Sequence, residues 1–216
     1  MKFYKYGSMV LVVISFAVAI YFYPTLPEKI VTHWNAQGIP DGWGSKFTGL
    51  FTFPLTMLFI FFLMLLIPKI DPLRKNIQKF LKMYYTFFFF LLLFFIFVQL
   101  QTTLWNAGIE ISPNIFFPIG LSFLMYIISL LLAQARRNWF VGIRTPWTIS
   151  SEEVWNKTHK LGALLFKLVA IIVLIGVIFP RYSIYFVLIP VLSVAVFLVI
   201  YSYILYTKIE EKEEKV

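Results

Sequence analysis

The sequence predicts an all-α fold, a polytopic membrane bundle of six transmembrane helices with both termini cytoplasmic. Composition, the spacing of apolar stretches and the placement of Lys and Arg lead to it. Of the 216 residues 60% are hydrophobic and only 13% are charged, where a soluble domain carries about 25% charged residues. This excludes a soluble globular enzyme, and it excludes a disordered chain, which needs low hydrophobicity. The sequence holds no cysteine, which removes disulfides, thiolate metal sites and a Cys nucleophile.

A hydrocarbon core about 30 Å thick is crossed by roughly 20 apolar residues in a helix. Six stretches approach that length: Ser8–Tyr23, Leu50–Ile67, Tyr84–Leu104, Ile115–Ala133, Leu161–Phe179 and Ser183–Tyr206. The first two are short, and flanking Tyr and Trp at headgroup depth extend them. None alternates over about ten residues as a membrane β-barrel strand does. The first stretch has a rival reading, because Lys2 and Lys5 precede it and Ala17-Val18-Ala19 resembles a signal-peptidase site. Ile20-Tyr21-Phe22-Tyr23 continues the apolar run where a cleaved leader turns polar, so an uncleaved first helix is expected.

Orientation follows from the loops. The N-terminus, 68–83, 134–160 and the C-terminal tail together hold fifteen Lys and Arg, whereas 24–49, 105–114 and 180–182 hold three. The positive-inside rule places the first set in the cytoplasm. The net charge of +9 is then a topology signal, and direct nucleic-acid binding is not invoked.

The outside segment 24–49 is long and polar-aromatic. Pro40-Asp41-Gly42 predicts a tight turn and Ile30–Trp34 a short strand leading into it, forming an ordered lid or an exposed recognition loop. On the inside, Asp71-Pro72 predicts a helix start with Asp as N-cap and Pro at N1. Leu73, Ile77, Phe80 and Tyr84 follow at helical spacing, with Arg74, Lys75, Lys79 and Lys82 available to anionic headgroups. In 134–160, Ser150 and Glu153 have capping-box spacing and Glu153 with Lys157 an i, i+4 pair, predicting a helix from near Ser151 through the fifth span. The tail EEKEEKV reads as a solvated, mixed-charge end. The chain divides into 1–104 and 105–216, three spans each with a long first connection; three spans per half makes the halves inverted, as in many transporters.

Catalytic chemistry has little to stand on. The two histidines, His33 and His159, fall on opposite sides of the membrane, and the six spans contain no Asp or Glu. There is no H-E-x-x-H, phosphate-binding loop or dinucleotide fingerprint, so no enzyme, cofactor or metal is expected. His33, with Asp41 and Glu28, is the one outside trio that an enzyme reading would use. His33, Trp34, Asn35, Asp41 and Gly42 either cap the outer lid or contact a ligand arriving from outside. Arg136, Arg137, Asn138, Trp139, Arg144 and Trp147 form either an interfacial anchor or a cytoplasmic docking surface. Gln99, Gln101, Thr102 and Thr103 suit interhelical hydrogen bonds. Lys167 is the one ionisable residue within a span; it either snorkels to the cytoplasmic headgroups or contacts a substrate.

The segment HWNAQGIPDGWGSK, preceded by YPTLPEKI, resembles the N-terminal domain of SdpI-type membrane proteins. NWFVGIRTPWTISSEEVWNKTHKLG is similar to that family's C-terminal signature, and IDPLRKNIQKF between them fits too. The motif positions include Asn138, Gly142, Arg144, Thr145, Pro146, Trp147, Ser151, Glu152, Trp155, Lys157, Thr158 and His159. The resemblance implies a multi-pass immunity protein of the cell membrane that protects against a small secreted, membrane-active peptide toxin. It also implies a second role, in which the toxin-engaged protein holds a cytoplasmic repressor at the membrane. Lipid bilayer, toxin outside and repressor inside are thus the expected partners. The alternative is a secondary transporter or exporter of a peptide or lipid, built on the inverted halves with Lys167 on a central polar path.

Overall fold

The computed structural model describes residues 2–213. Residues 214–216, the end of the charged tail, lie outside the described residues. In chain order the elements are α1 (Lys2–Phe22), β1 (Lys29–Trp34), β2 (Pro40–Ser45), α2 (Lys46–Ile70), α3 (Arg74–Lys79), α4 (Leu81–Asn106), α5 (Pro113–Gln134), α6 (Pro146–Ser150), α7 (Glu152–Ile175) and α8 (Ser183–Glu213). Two 3-10 turns, Gly176–Ile178 and Pro180–Tyr182, join α7 to α8. Six of the helices are long and apolar enough to cross a membrane, and they coincide with the six expected spans.

The long helices bury stripes of residues against one another. On α1 the stripe is Ser8, Val12, Ser15 and Ala19, and its small side chains let α1 lie close to α4. On α4 it runs Tyr84, Phe88, Leu92, Ile96, Gln99 and Thr103. Helices α1, α2 and α4 touch one another, as do α5, α7 and α8, and α4 against α5 joins the two groups. At the α4–α5 seam Phe97 and Phe116 stack with centroids 3.6 Å apart.

Backbone groups and polar side chains tie the helices where apolar packing alone is non-directional. Ser15 Oγ donates to Gln99 Oε1 at 2.6 Å and Gln99 Nε2 donates back to the Ser15 carbonyl at 2.9 Å, so Gln99 makes the expected interhelical bond. Gln101 instead donates to Ile111 O in the α4–α5 loop. Tyr84 Oη donates to Met64 O across α4 and α2, and Ser122 Oγ to Ala170 O across α5 and α7.

Three local expectations are corrected. Pro40-Asp41-Gly42 is not the turn: it opens β2, and the reversal lies at Asn35–Gly38. The Asn35 carboxamide accepts from Gln37 N and Ile39 N, and Gly38 supplies a φ of 77°. Those two devices close the reversal earlier, and Pro40 fits as the first residue of a strand. Asp71 does not cap α3, which starts at Arg74 after an uncapped Leu73. Its carboxylate is divided between Leu73 N at 2.6 Å and Trp139 N at 2.9 Å, a distant loop. The chain also bends at Phe80 (φ −125°), so α3 and α4 are separate helices. Ser150 is likewise not a cap: its hydroxyl donates to Pro146 O, while Ser151 accepts from Val154 N and starts α7.

Candidate functional site

The two motif-bearing segments of the sequence fold at opposite ends of the bundle. One end is formed by the β1–β2 hairpin with the first turns of α5 and α8. The other is formed by the loop 135–145 with α6, the first turns of α7 and the end of α5. At 1.5 Å per residue α5 alone separates them by about 30 Å.

The hairpin is pinned rather than loose. β1 and β2 pair antiparallel, with register irregularities on both sides of His33. Leu26 and Ile30 bury against Ala19 and Leu50. Asn106, the last residue of α4, accepts from Val31 N at 2.8 Å and donates to Val31 O at 2.9 Å, so its carboxamide replaces a neighbouring strand. Asn114 Nδ2 holds the turn through Ala36 O. His33 Nδ1 and Asp41 Oδ1 lie 2.5 Å apart, and Glu28 turns away to Lys46 at 2.8 Å. The outside trio is therefore a pair plus a separate ion pair. A Cβ on Gly42 would come within 2.8 Å of His33 Cβ, which explains a glycine opposite that ring.

Under the hairpin is a cavity of about 490 Å³, lined by His33, Trp34 and Asn35 from one side and by α2, α4, α5 and α8 from the others. Asp41 and Gly42 stand on β2 and do not line it. Trp34 packs edge-on against Trp105 at 5.5 Å, and its Nε1 is buried without an acceptor among the described residues.

At the opposite end the loop is organised by polar side chains that bond to backbone groups. Asn138, 0% exposed, donates to Arg136 O and Val141 O and accepts from Phe140 N and Val141 N. Arg137 Nη1 reaches Ile149 O and Ser150 O, and Arg144 Nη1 donates to Trp139 O at 2.7 Å. Thr145 and Thr148 form the capping box of α6, and Thr145 Oγ1 meets Ser202 Oγ of α8 at 3.0 Å. Pro146 is the first residue of α6, and Trp147 packs on Tyr203.

Trp155 and His159 form the centre of this end. The rings stack at 3.9 Å, and Trp155 Nε1 donates to Ala135 O at 2.9 Å. His159 Nε2 accepts from Ile143 N at 3.0 Å while Nδ1–H donates to Trp155 O, which defines a neutral imidazole in one tautomer. Gly142, at φ 117°, passes against that ring where no Cβ fits. Thr158 is buried with no partner for its hydroxyl among the described residues. Glu152 lies in the first turn of α7, and Glu153 with Lys157 forms the expected exposed pair.

Most motif positions thus build a scaffold, while Arg136, Trp139, Phe140 and Arg144 remain exposed on it. Lys167 stands on an exposed side of α7 and lines neither this end nor the hairpin cavity. Sequence reasoning missed Asn106 and Asn114, whose only signal was a polar amide at each end of the α4–α5 connection. It also missed Asp71 as a tie between the α2–α3 connection and the loop 135–145. Among the described residues no three His, Asp or Glu lie together as metal ligands would.

This is a multi-pass helical membrane protein with an ordered hairpin at one end and a locked loop at the other. Residues 134–203 match the model of the SdpI/YfhL protein family, and residues 10–58 match a domain of unknown function, DUF1648. The chain is 27% identical over 205 residues to Immunity protein SdpI of Bacillus subtilis (strain 168), covering 94% of this chain and 95% of that protein. The C-terminal part of the chain is thus similar to the SdpI/YfhL family, and the likeness to the immunity protein extends along nearly the whole chain. No solved structure matches it.

Proposed function

We propose that this protein confers immunity against a secreted, membrane-active peptide. The observation that carries the reading is similarity to Immunity protein SdpI along nearly the whole of both chains, hairpin and loop included. In this reading both termini are cytoplasmic and the hairpin is outside, where His33, Trp34, Asn35, Asp41 and Gly42 meet the peptide. The exposed Arg136, Trp139, Phe140 and Arg144 face the cytoplasm, where they anchor to anionic lipid or hold a repressor at the membrane. The reading assigns binding, not catalysis. A transport reading asks for Lys167 on a central path, and its position on the exposed side of α7 gives that no support.

Orientation is tested first. The chain has no cysteine, so single Gln37→Cys and Arg136→Cys variants carry unambiguous labels. Gln37→Cys is expected to react with an impermeant maleimide in intact cells and Arg136→Cys only after permeabilisation; the reverse pattern would invert the assignment. Function is tested by survival of a sensitive strain lacking its own immunity gene. The wild-type chain is expected to protect, and Arg144→Ala to lower protection at equal membrane accumulation. No protection against several such peptides at verified expression would reject the immunity reading.

A further inference from the structure

The hairpin cavity has a chemistry of its own. Its wall is mostly apolar, with Phe117, Leu121, Ile184 and Val187 contributed by the hairpin ends of α5 and α8. No Lys, Arg, Asp or Glu lines it, and its one titratable ring, His33, is already paired with Asp41. A formally charged headgroup would enter without a counter-ion, which is costly away from water. Neutral hydrogen-bonding groups, by contrast, stand ready. Thr102 and Ser183 are 6% and 3% exposed and line the cavity, and neither hydroxyl has a hydrogen-bond partner among the described residues. The Trp34 indole N–H is buried without a partner among the described residues, and the hydroxyl of the exposed Thr32 opens onto the cavity. Of these groups the Trp34 N–H is the fully buried one without a partner, which is uncommon and asks for an explanation.

A second lobe of about 300 Å³ adjoins, sharing Thr32, Phe53 and Thr102 and adding Thr48 and Thr52. Most of the hydroxyls gather where β1 meets α2 and α4, with Ser183 at the start of α8, and the hydrocarbon of α5 and α8 lies beyond it. A volume of about 490 Å³ falls in the roughly 300–1,000 Å³ range of sites that enclose a small molecule.

We infer that this cavity binds an uncharged, hydrogen-bonding amphiphile, a single apolar chain bearing a hydroxyl- or amide-rich head. The head lies against Thr32, Thr102 and Ser183, and the chain lies between α5 and α8. The ligand sits on the inner side of the hairpin, so the inference does not depend on what the hairpin's outer rim meets.

The test uses the full chain in lipid nanodiscs and a monoacylglycerol with a photoreactive diazirine in its chain. Crosslinks are expected at Phe117, Leu121, Ile184 or Val187. Unlabelled monoacylglycerol should displace the probe at least ten times more effectively than lysophosphatidylglycerol of equal chain length. Thr102→Val and Ser183→Ala are each expected to weaken displacement about fivefold, the effect of one hydrogen bond. Leu121→Trp, which fills the apolar lobe, is expected to abolish specific labelling while the protein keeps its elution volume and melting temperature. Three results would overturn the inference: labelling spread along the lipid-facing side of α8 without displacement, equal competition by the charged lipid, or labelling unchanged in Leu121→Trp. Displacement by an apolar peptide but not by monoacylglycerol would also overturn it, in favour of a peptide site. No toxin enters this assay, so its result and the survival result can fail separately.

Discussion

Trp155→Ala is expected to lower the stability of the folded chain by about 3–5 kcal/mol, the range for emptying a buried aromatic site. Trp155 is 0% exposed and belongs to the largest buried cluster, beside Met64, Tyr84 and Ala135. Its removal opens a void in that cluster. It also unstacks His159 and leaves Ala135 O, at the C-terminal end of α5, without the indole donor. Trp155→Phe separates these effects, because it keeps a ring and loses the donor; about 1–2 kcal/mol is expected. Thermal unfolding of detergent-purified protein measures both. A melting temperature unchanged in Trp155→Ala would mean that the loop end does not depend on this ring.

Gly142→Ala is the second large effect. Gly142 holds φ 117°, a backbone region that side-chain-bearing residues rarely occupy, and strain of that kind costs about 1–3 kcal/mol. The added methyl also strikes the imidazole of His159, the acceptor for Ile143 N. The backbone bond at Ile143 and the Trp155–His159 stack therefore suffer together. His159→Ala in the same chain removes the ring that the methyl strikes, so the two substitutions are expected to combine less than additively. Strict additivity in a double-mutant cycle of melting temperatures would show that the cost lies in φ alone.

The spans were legible because a helix that crosses a bilayer needs a long apolar run, a property of contiguous sequence. The hairpin was legible only in part. The strand at Ile30–Trp34 showed itself, but its reversal depends on the Asn35 side chain, Gly38 and a bond from Asn114, 78 residues away in the chain. Pro40-Asp41-Gly42 had turn composition and lost to those contacts. Asp71 read as a cap because Pro follows it, whereas its second oxygen is claimed by Trp139 N, 68 residues distant. At the loop end the motif residues could be named from sequence. Their division into scaffold and surface could not, since it follows from which side of a three-dimensional loop each occupies. Asn138 turns inward to four backbone groups, and its neighbour Trp139 turns out.

One continuous element links the two ends. β2 passes into α2 with no intervening linker, at Ser45, whose hydroxyl caps Thr48 N. α2 then runs 25 residues, about 37 Å, to Asp71, whose carboxylate grips the loop at Trp139. Mechanically this is a strut clamped at both ends, hairpin to loop, with no slack segment to absorb a displacement. Its compliant points are Pro54 and Pro68, where the helix lacks an amide hydrogen and can bend. A tilt imposed on the hairpin is thus delivered to Asp71 unless one of those two joints takes it up.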